Sequence, residues 1–276
     1  MIKYINGDCR HVIPTIDTPI QSVITSPPYF NLRSFGNDNE IGVEVDLEDY
    51  LDNLIDVFKL IKNVLKDDGT LWVNLGDTYA KKGACGPINF NEKADKSKAN
   101  IKRKIPKGYK AKDLIGVPWR FAFEMIKIGY YLRSDIIWHK PNPVPENVKD
   151  RPTRSHEYFF LFSKSNSYYY DNEAIKEPSK ASSLQRFKYS GNARYQAKRN
   201  IRDVWTIAGN SRNRSKHSAT FPSDLIRPAI LASTKPSDII LDPFCGMGTV
   251  GKLCKEMNRG FIGIELDKGF HELSVL

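Results

Sequence analysis

Five consecutive residues near the amino terminus, Thr25-Ser26-Pro27-Pro28-Tyr29, combine groups that can hold a planar amine. They follow a β-branched run that predicts a strand, and two successive prolines cannot continue its hydrogen-bond ladder. The chain is therefore expected to be stiff and extended there, with carbonyls facing outward. The hydroxyl of Ser26 and the carbonyl of Pro27 can accept two hydrogen bonds from one NH2 group, and the ring of Tyr29 offers a base a stacking surface. A plain Pro-Pro turn is the alternative.

A second segment, from Asp242 to Thr249, is rich in glycine and joins a predicted strand to a predicted helix. Glycines let a ligand approach the backbone closely, and the helix amino terminus supplies unpaired N–H groups. Glu265 follows 23 residues after Asp242, at the end of the next predicted strand. A carboxylate there can accept both hydroxyls of a ribose, so the pair indicates a nucleoside cofactor.

The same glycines also form a G-x-G-x-x-G pattern over residues 246–251, which makes a dinucleotide such as NAD an alternative ligand. Against NAD, an acid and a rigid proline, Asp242 and Pro243, stand between the strand and the glycines, where the dinucleotide fingerprint usually begins as the strand ends. An NAD-dependent oxidoreductase would also have no use for the Ser26 segment. A glycine turn without a ligand is the third alternative.

Short β-branched runs alternate with amphipathic helices, which predicts a doubly wound α/β domain with a mostly parallel sheet covered on both faces. Seven strands are expected in one sheet: Ile2 to Ile5, Ser22 to Thr25, Thr70 to Leu75, Tyr131 to His139, Glu157 to Ser163, Ile239 to Leu241 and Phe261 to Ile264. A proline-rich link between the fourth and fifth predicts an antiparallel pair at one edge of the sheet. Ligands of such sheets bind at the carboxyl ends of the strands, which is where both chemical segments fall.

Three helices are predicted between the strands. The clearest runs from about Leu47 to Lys66, with Asp46 able to cap its start and Gly69 just past its end. A second covers Pro118 to Lys127. A third opens near Thr249 and closes at Arg259-Gly260, where the glycine can take the left-handed conformation.

The positive charge of the chain is concentrated in two segments. The 276 residues carry a net charge of +10, yet residues 81–112 and 176–216 each contain eleven Lys or Arg against two acids. The rest of the chain is therefore mildly acidic, at about −8 by subtraction. Tyr109, Phe187, Tyr189 and Tyr195 are interleaved with these charges, as expected for loops that contact phosphates and bases. The alternative is two solvated surface loops.

Other features narrow the class of protein. The four cysteines contain no C-x-x-C pair, so neither a metal site nor a disulfide framework is expected. No run approaches the roughly eighteen apolar residues of a membrane span, and the start lacks a signal-peptide pattern, so a cytoplasmic protein is expected. The composition is that of an ordinary globular chain long enough for one large α/β domain or two small ones.

Taken together, the two chemical segments resemble those of the exocyclic-amino DNA methyltransferases of bacterial restriction–modification systems, in the β arrangement where the catalytic half precedes the cofactor half. The match covers most of the chain. Asn6-Gly7-Asp8 looks like the family's acid after its third cofactor-side strand. Residues 138–143 and 151–157 look like its later catalytic-side segments, and residues 217–222 look like its cofactor-flanking segment.

The resemblance implies a Rossmann-like fold that binds S-adenosyl-L-methionine, with double-stranded DNA as partner and a flipped target base. In this family Asp or Asn before Pro-Pro-Tyr usually accompanies adenine N6 methylation, whereas Ser usually accompanies cytosine N4 methylation. Ser26 therefore implies N4-cytosine methylation in a short DNA sequence, with adenine N6 as the alternative. A ring-carbon methyltransferase is disfavoured because no Pro-Cys dipeptide occurs. RNA methylation and DNA binding without catalysis are further alternatives. A cognate restriction endonuclease is a candidate partner, and the chain is expected as a monomer or homodimer.

The resemblance also distributes roles along the chain. Residues 1–168 would form the catalytic half with its basic loop 81–112, residues 169–216 a target-recognition region, and residues 217–276 the cofactor half. The expected catalytic residues are Ser26, Pro27, Pro28 and Tyr29. The expected cofactor-binding residues are Asp8, Thr25, Ser26, Phe221, Asp242, Pro243, Phe244, Gly246, Gly248, Thr249, Glu265 and Leu266. The expected DNA-binding residues are Lys102, Arg103, Lys104, Lys107, Lys140, Arg151, Arg154, Arg186, Lys188, Arg194, Lys198, Arg199 and Arg202.

Overall fold

A computed structural model describes residues 1–85 apart from 33, 35, 37 and 38, together with residues 101–179, 198–209 and 221–275. The strands in these ranges are β1 (Ile2–Asn6), β2 (Ile20–Thr25), β3 (Leu65–Leu75), β4 (Gly83–Cys85), β5 (Ile101–Arg103), β6 (Tyr131–His139), β7 (His156–Ser163), β8 (Glu177–Pro178), β9 (Lys198–Arg199), β10 (Val204–Thr206), β11 (Ile239–Asp242) and β12 (Gly260–Glu265). The helices are α1 (Cys9–Val12), α2 (Leu47–Val64), α3 (Val117–Lys127), α4 (Ser223–Ser233), α5 (Thr249–Glu256) and α6 (Lys268–Val275), and short 3-10 turns cover Ile13–Thr15 and Glu173–Ile175.

Eight of these strands form one sheet in the order β1-β12-β11-β2-β3-β7-β6-β10. Within this described sheet only β7 runs against its neighbours, because it is antiparallel to both β3 and β6 while the other pairs are parallel. Strands β4 and β5 pair separately, as do β8 and β9. The predicted doubly wound α/β class is confirmed.

Two details of the predicted sheet are wrong. The sheet has an eighth strand, β10, which pairs in parallel with β6 through Val204, Trp205 and Thr206. This three-residue strand lies inside the second basic segment, where no alternating pattern marks it. The antiparallel strand is therefore not at an edge: β7 is an interior strand, and β10 covers the outer side of β6.

Period-two alternation along the strands places neighbouring side chains on opposite faces of the sheet. In β2, Val23 packs into one apolar cluster with residues of α2 and α3, while Ile24 packs into a second cluster with residues of α4 and α5. Phe160 and Phe159 of β7 divide in the same way. Helices thus cover both faces, which leaves the strand ends as the place for a site.

The predicted helix ends shift by several residues. Helix α2 stops at Val64 because Leu65 already belongs to β3, so Gly69 lies within a strand rather than at a helix cap. Asp46 is the N-cap residue of α2, but its side chain makes no capping hydrogen bond. After α5 the left-handed residue is Asn258, at φ 57°, and Gly260 is the first residue of β12. In the parts of the chain that the structure describes, no helix is long and apolar enough to span a membrane.

Candidate active site

The two chemical segments of the sequence lie side by side at the carboxyl edge of the sheet. Strands β11 and β2 are parallel neighbours, so Asp242 and Thr25, which end them, point to the same edge. A hydrogen bond joins the two segments directly, since Thr25 Oγ1 donates to Asp242 Oδ1 over 2.7 Å. The predicted juxtaposition of the Ser26 segment and the glycine segment is thus present in the fold.

Asp242 is almost fully buried, with 2% of its surface exposed. Besides Thr25, the backbone N–H of Phe244 donates to its Oδ1 over 3.2 Å. Burial raises the pKa of the Asp242 carboxyl to about 7, although both hydrogen bonds oppose that rise. This carboxyl fixes the turn after β11 and ties it to β2, which is a positioning role.

The raised pKa of Asp242 predicts a pH dependence of stability. The folded protein binds a proton at Asp242 more tightly than the unfolded chain does, so stability is lost as pH rises from about 4 to about 7. The rise of the Asp242 pKa from its ordinary value near 4 to about 7 corresponds to as much as ~4 kcal/mol of stability. Urea unfolding should therefore show a free energy of unfolding that is smaller at pH 8 than at pH 5. Asp242→Asn should reduce that change but not abolish it, because burial also raises the pKa of Glu265 to about 7 and that carboxyl acts in the same direction. An unaltered slope in the variant would contradict the assignment.

The turn after β11 depends on glycine at two positions. Gly246 and Gly248 have φ of 50° and 74°, in the left-handed region that favours glycine. A side chain at Gly246 would point into open space, so the backbone there is accessible to a ligand. A Cβ at Gly251 in α5 would lie 2.3 Å from Tyr4 Oη, so this third glycine serves the packing of the helix.

Glu265, at the end of β12, faces the glycine turn. Its Oε2 accepts the N–H of Gly246 over 2.8 Å, and its Oε1 accepts the N–H of Asp267 over 2.9 Å. Burial raises the pKa of the Glu265 carboxyl to about 7, against the effect of these hydrogen bonds. Carboxylate oxygens have further lone pairs, so the hydroxyls of a ribose can still be accepted. An acceptor carboxylate beside an open glycine backbone fits a nucleoside cofactor.

The remaining predicted cofactor residues differ in their surroundings. Asp8 caps α1 and forms an ion pair with Arg10, whose Nη2 lies 2.5 Å from Asp8 Oδ2. Burial would raise the pKa of Asp8, but the hydrogen bonds from Arg10 outweigh it and lower the pKa. The carbonyl of Leu266 accepts Asn6 Nδ2 over 3.1 Å. Pro243 is buried, and Thr249 is the first residue of α5. The half-buried ring of Phe244 packs against the first apolar cluster, and that of Phe221 packs against the second.

Tyr29 is held by two polar side chains, Asn74 and Glu157, that are not among the expected catalytic residues, although Glu157 ends the segment 151–157 that resembles a catalytic-side segment of the family. Its Oη lies 2.7 Å from Glu157 Oε2 in β7 and 3.0 Å from Asn74 Oδ1 in β3. Ser26 Oγ lies 3.4 Å from the same hydroxyl. A Cβ at Gly76 would come within 2.7 Å of the Tyr29 ring, so Gly76 leaves room for it. The ring is therefore fixed through its edge and its hydroxyl.

The two prolines differ in their surroundings. The carbonyl of Pro28 accepts the Tyr50 hydroxyl over 2.9 Å, which anchors the segment to α2. Pro27 is buried directly after Ser26. Pro28 thus has a structural contact, while Ser26 and Tyr29 belong to the polar cluster of the site.

Several basic residues predicted to bind DNA are engaged within the protein. Lys140 pairs with Glu157 and lies 4.1 Å from the centre of the Trp138 ring. Arg151 pairs with Glu146 over 2.7 Å and lies 3.8 Å from the centre of the Tyr79 ring. Two other arginines donate to backbone carbonyls, Arg154 to that of Asp77 and Arg103 to that of Asn31 over 2.7 Å. Arg199 pairs with Glu177 over 2.8 Å.

The other predicted DNA contacts divide between exposed residues and residues outside the described ranges. Lys104, Lys107, Lys198 and Arg202 are exposed. Arg186, Lys188 and Arg194 lie outside the described residues, as do the side chain of Lys102 and residues 217–220 of the cofactor-flanking segment. The exposed residues Lys104 and Lys107 of the first basic segment can therefore be tested against this structure, as can Lys198 and Arg202 of the second.

The three cysteines whose side chains the structure describes do not act as reactive groups. Cys9, Cys245 and Cys254 are buried free thiols. Burial raises the pKa of Cys9 and of Cys254 to about 12, so both stay protonated at neutral pH. Among the residues with described positions, no three His, Cys, Asp or Glu side chains cluster as metal ligands.

Comparison with known proteins gives consistent matches. A family model described as DNA methylase matches residues 20–276. The type II methyltransferase M.SmaI of Serratia marcescens is 44% identical over 276 residues, which cover 99% of this chain and 89% of that protein. The type II methyltransferase M.Cfr9I of Citrobacter freundii is 45% identical over 270 residues, which cover 98% of this chain and 85% of that protein.

Solved structures share the fold at low sequence identity. The PvuII DNA methyltransferase (cytosine-N4-specific) matches with a TM-score of 0.68 and 20% identity, over 99% of this chain and 84% of that one. A DNA modification methylase from Thermus thermophilus, solved in complex with S-adenosyl-L-methionine, matches with a TM-score of 0.63 and 20% identity, over 99% of this chain and 91% of that one. These likenesses agree with the Rossmann-like fold that the sequence predicts.

Proposed function

The chain belongs to the exocyclic-amino DNA methylase family, as its motifs imply, and on that premise we propose that it methylates the N4 amine of cytosine at a specific DNA sequence. The observation that carries this proposal is the direct junction of the Ser26 segment with the glycine segment through the Thr25 to Asp242 hydrogen bond of 2.7 Å. It supports the proposal because it joins the segment whose Ser26 hydroxyl would bind the amine to the turn that would bind the nucleoside.

S-adenosyl-L-methionine is the cofactor that the site fits. Glu265 would hold the ribose hydroxyls, and the open backbone at Gly246 would face the cofactor. Asp242 would hold the turn after β11 in place through its hydrogen bonds with Thr25 and the N–H of Phe244. When bound, the cofactor supplies a methyl group on a positively charged sulfur.

The target amine needs activation because its lone pair is delocalised into the base. Hydrogen bonds from its two N–H groups to Ser26 Oγ and the Pro27 carbonyl favour a pyramidal nitrogen with its lone pair free for attack. The base must leave the duplex to reach this point, at a cost of a few kcal/mol. Stacking on the Tyr29 ring offsets part of that cost.

Two features support cytosine N4 over adenine N6. Ser26 stands where adenine-specific relatives usually carry Asp or Asn. A protein of the same fold is named as cytosine-N4-specific. Adenine N6 is the second candidate, because both targets are amines beside a ring nitrogen.

The chain's organisation and partners follow from the same premise. We propose that residues 1–168 form the catalytic half, 169–216 the target-recognition region and 217–276 the cofactor half. Within that proposed recognition region, the described strand β10 pairs in parallel with β6 of the main sheet. The partners of the protein would be double-stranded DNA and a cognate restriction endonuclease, since relatives are named type II methyltransferases. A cytoplasmic monomer or homodimer is part of the proposal.

The direct test is transfer of labelled methyl groups from S-adenosyl-L-methionine to DNA by the purified protein, with RNA of the same base composition as the competing substrate. Methylation of DNA alone is expected. Methylation of RNA alone, or tight binding of NAD without S-adenosyl-L-methionine binding, would contradict the proposal.

DNA binding through the first basic segment can be tested at its exposed lysines. Changing Lys104 and Lys107 to glutamine should weaken DNA binding and reduce the slope of log K against log salt by about 0.9 for each phosphate that is no longer neutralised. Fluorescence anisotropy across a salt series gives that slope. Lys59→Gln, an exposed lysine of α2 outside both basic segments, is the matched control. Equal slopes in all three proteins would show that the segment is only solvated surface.

A further inference from the structure

We propose that Ser26, Tyr29 and Glu157 form the path by which the target amine loses its proton, with the Glu157 carboxylate as the final acceptor. This inference rests on the proposed function, because it concerns the amine that would bind at Ser26. It does not depend on whether the base is cytosine or adenine, since both amines release one proton when methylated.

The hydrogen bonds run in one direction from the site to the carboxylate. Ser26 Oγ donates toward Tyr29 Oη over 3.4 Å, and Tyr29 Oη donates to Glu157 Oε2 over 2.7 Å. An amine that donates to Ser26 Oγ therefore completes an unbroken series of donors ending at an acceptor. The long first step must shorten when the amine binds, as catalytic hydrogen bonds often do.

Asn74 shapes this path without ending it. Its Nδ2 donates to the carbonyl of Tyr158 over 3.0 Å, which leaves Oδ1 facing the hydroxyls of Tyr29 and Ser26 at 3.0 and 3.5 Å. An amide oxygen accepts hydrogen bonds but is a very weak base. Glu157 is the carboxylate in contact with Tyr29, so it is the group able to take the proton.

Lys140 keeps Glu157 ready to accept. Its ammonium pairs with Glu157 Oε1, and the two side chains are only 23% and 17% exposed. The pair leaves Oε2 for Tyr29. Burial, with the nearby Glu157 charge, raises the pKa of Tyr29 well above its usual value, so the phenol stays neutral and can only pass a proton on.

The step balances in atoms and charge. The amine nitrogen forms its bond to the methyl carbon as the carbon–sulfur bond breaks, and the pair from that bond stays on the sulfur. One amine proton moves to Ser26 Oγ, the Ser26 proton moves to Tyr29 Oη, and the Tyr29 proton moves to Glu157 Oε2. Ser26 and Tyr29 end neutral, and Glu157 ends as a carboxylic acid that returns its proton to water.

Glu157→Gln keeps an acceptor oxygen for Tyr29 but removes the base. Single-turnover transfer to DNA should slow about 10²-fold, the usual scale for losing a general base, with unchanged Kd for DNA and for S-adenosyl-L-methionine. Tyr29→Phe should slow transfer similarly, because the ring stays but the relay is cut. The double variant should be no slower than either single variant, since both interrupt one path.

Chemical rescue separates a proton acceptor from a structural carboxylate. Formate should restore transfer in Glu157→Ala, whereas formamide, which has the same shape but no basic oxygen, should not. Asp238→Asn is the matched control, because Asp238 is also a partly buried carboxylate paired with a lysine, Lys66, but at the opposite edge of the sheet. It should transfer at the unmodified rate.

A wild-type rate in Glu157→Gln, additive losses in the double variant, or equal rescue by formate and formamide would each overturn the proposal. If Glu157→Ala does not fold, the transfer rates of Glu157→Gln, of Tyr29→Phe and of the variant that combines them still test the proposal. Failure of the proposed function would look different, because the unmodified protein would then not methylate any amine of DNA.

Discussion

Replacing Ser26 by alanine is expected to slow methyl transfer by about 10²-fold or more, with cofactor affinity nearly unchanged. Removal of one preorganised hydrogen bond that strengthens in the transition state has an effect of this size. The Ser26 hydroxyl contacts the polar cluster around Tyr29 rather than the glycine turn, so its removal should leave the Kd for S-adenosyl-L-methionine nearly unchanged. Single-turnover kinetics at saturating DNA gives the rate of the chemical step, and calorimetry gives the Kd for S-adenosyl-L-methionine.

Ser22→Ala provides the matched control on the same strand. The Ser22 hydroxyl is buried in contact with Thr70 and Ser233 at 3.2 and 3.0 Å, away from the carboxyl edge. Its removal should lower stability by about 1 kcal/mol while the transfer rate stays normal. Full activity in Ser26→Ala, or equal slowing in both variants, would contradict the role given to Ser26.

Replacing Glu265 by alanine is expected to weaken S-adenosyl-L-methionine binding by at least about 10- to 100-fold, because that is the range for losing one charge-assisted hydrogen bond and Glu265 would accept both ribose hydroxyls. The change also leaves the N–H groups of Gly246 and Asp267 without their acceptor, which loosens the turn that faces the cofactor. The Kd for DNA should stay unchanged, because Glu265 contacts the glycine turn that would bind the cofactor. Calorimetry with the cofactor and anisotropy with DNA measure the two effects separately.

Glu272→Ala, an exposed acid on α6, is the control for charge alone. It should leave both affinities unchanged. Equal loss of cofactor and DNA affinity in Glu265→Ala would mean that the residue supports the whole fold rather than the cofactor site.

The sequence predicts those parts of the site that are local in the chain. The Ser26 segment and the glycine turn each combine strand end, turn residues and ligand groups within ten residues, so pattern alone locates them. Their proximity follows from the carboxyl-edge rule for parallel sheets. Glu265 can be identified because its distance along the chain from Asp242 is characteristic of such folds.

Glu157 and Asn74 are not assigned by the sequence because their roles depend on contacts between distant strands. Each lies in a predicted strand. Glu157 also ends the segment 151–157 that resembles a catalytic-side segment of the family, but the resemblance gives it no role. Both residues meet Tyr29 only after β3, β7 and the Ser26 segment assemble. A polar residue within an otherwise apolar strand is the available signal. Asn74 is 1% exposed among buried neighbours, a burial that usually requires a hydrogen-bond partner.

Charge counting has a similar limit. Arg151 and Arg154 look like phosphate ligands in the sequence, yet Arg151 pairs with Glu146 and Arg154 donates to the Asp77 carbonyl. Residue type gives the sign of a charge but not its partner, which the tertiary fold sets. The strand β10 escapes prediction for a related reason, because three residues are too few to show a period.

The identity of the methylated base tests the central proposal most directly. DNA methylated by the unmodified protein is digested to nucleosides and analysed by liquid chromatography with mass spectrometry. N4-methylcytosine is the expected product, separated from 5-methylcytosine by retention and from N6-methyladenine by mass. N6-methyladenine alone would contradict the target base while leaving the amine chemistry in place, and 5-methylcytosine would contradict the mechanism, because that product requires methylation of a ring carbon rather than of an amine held at Ser26.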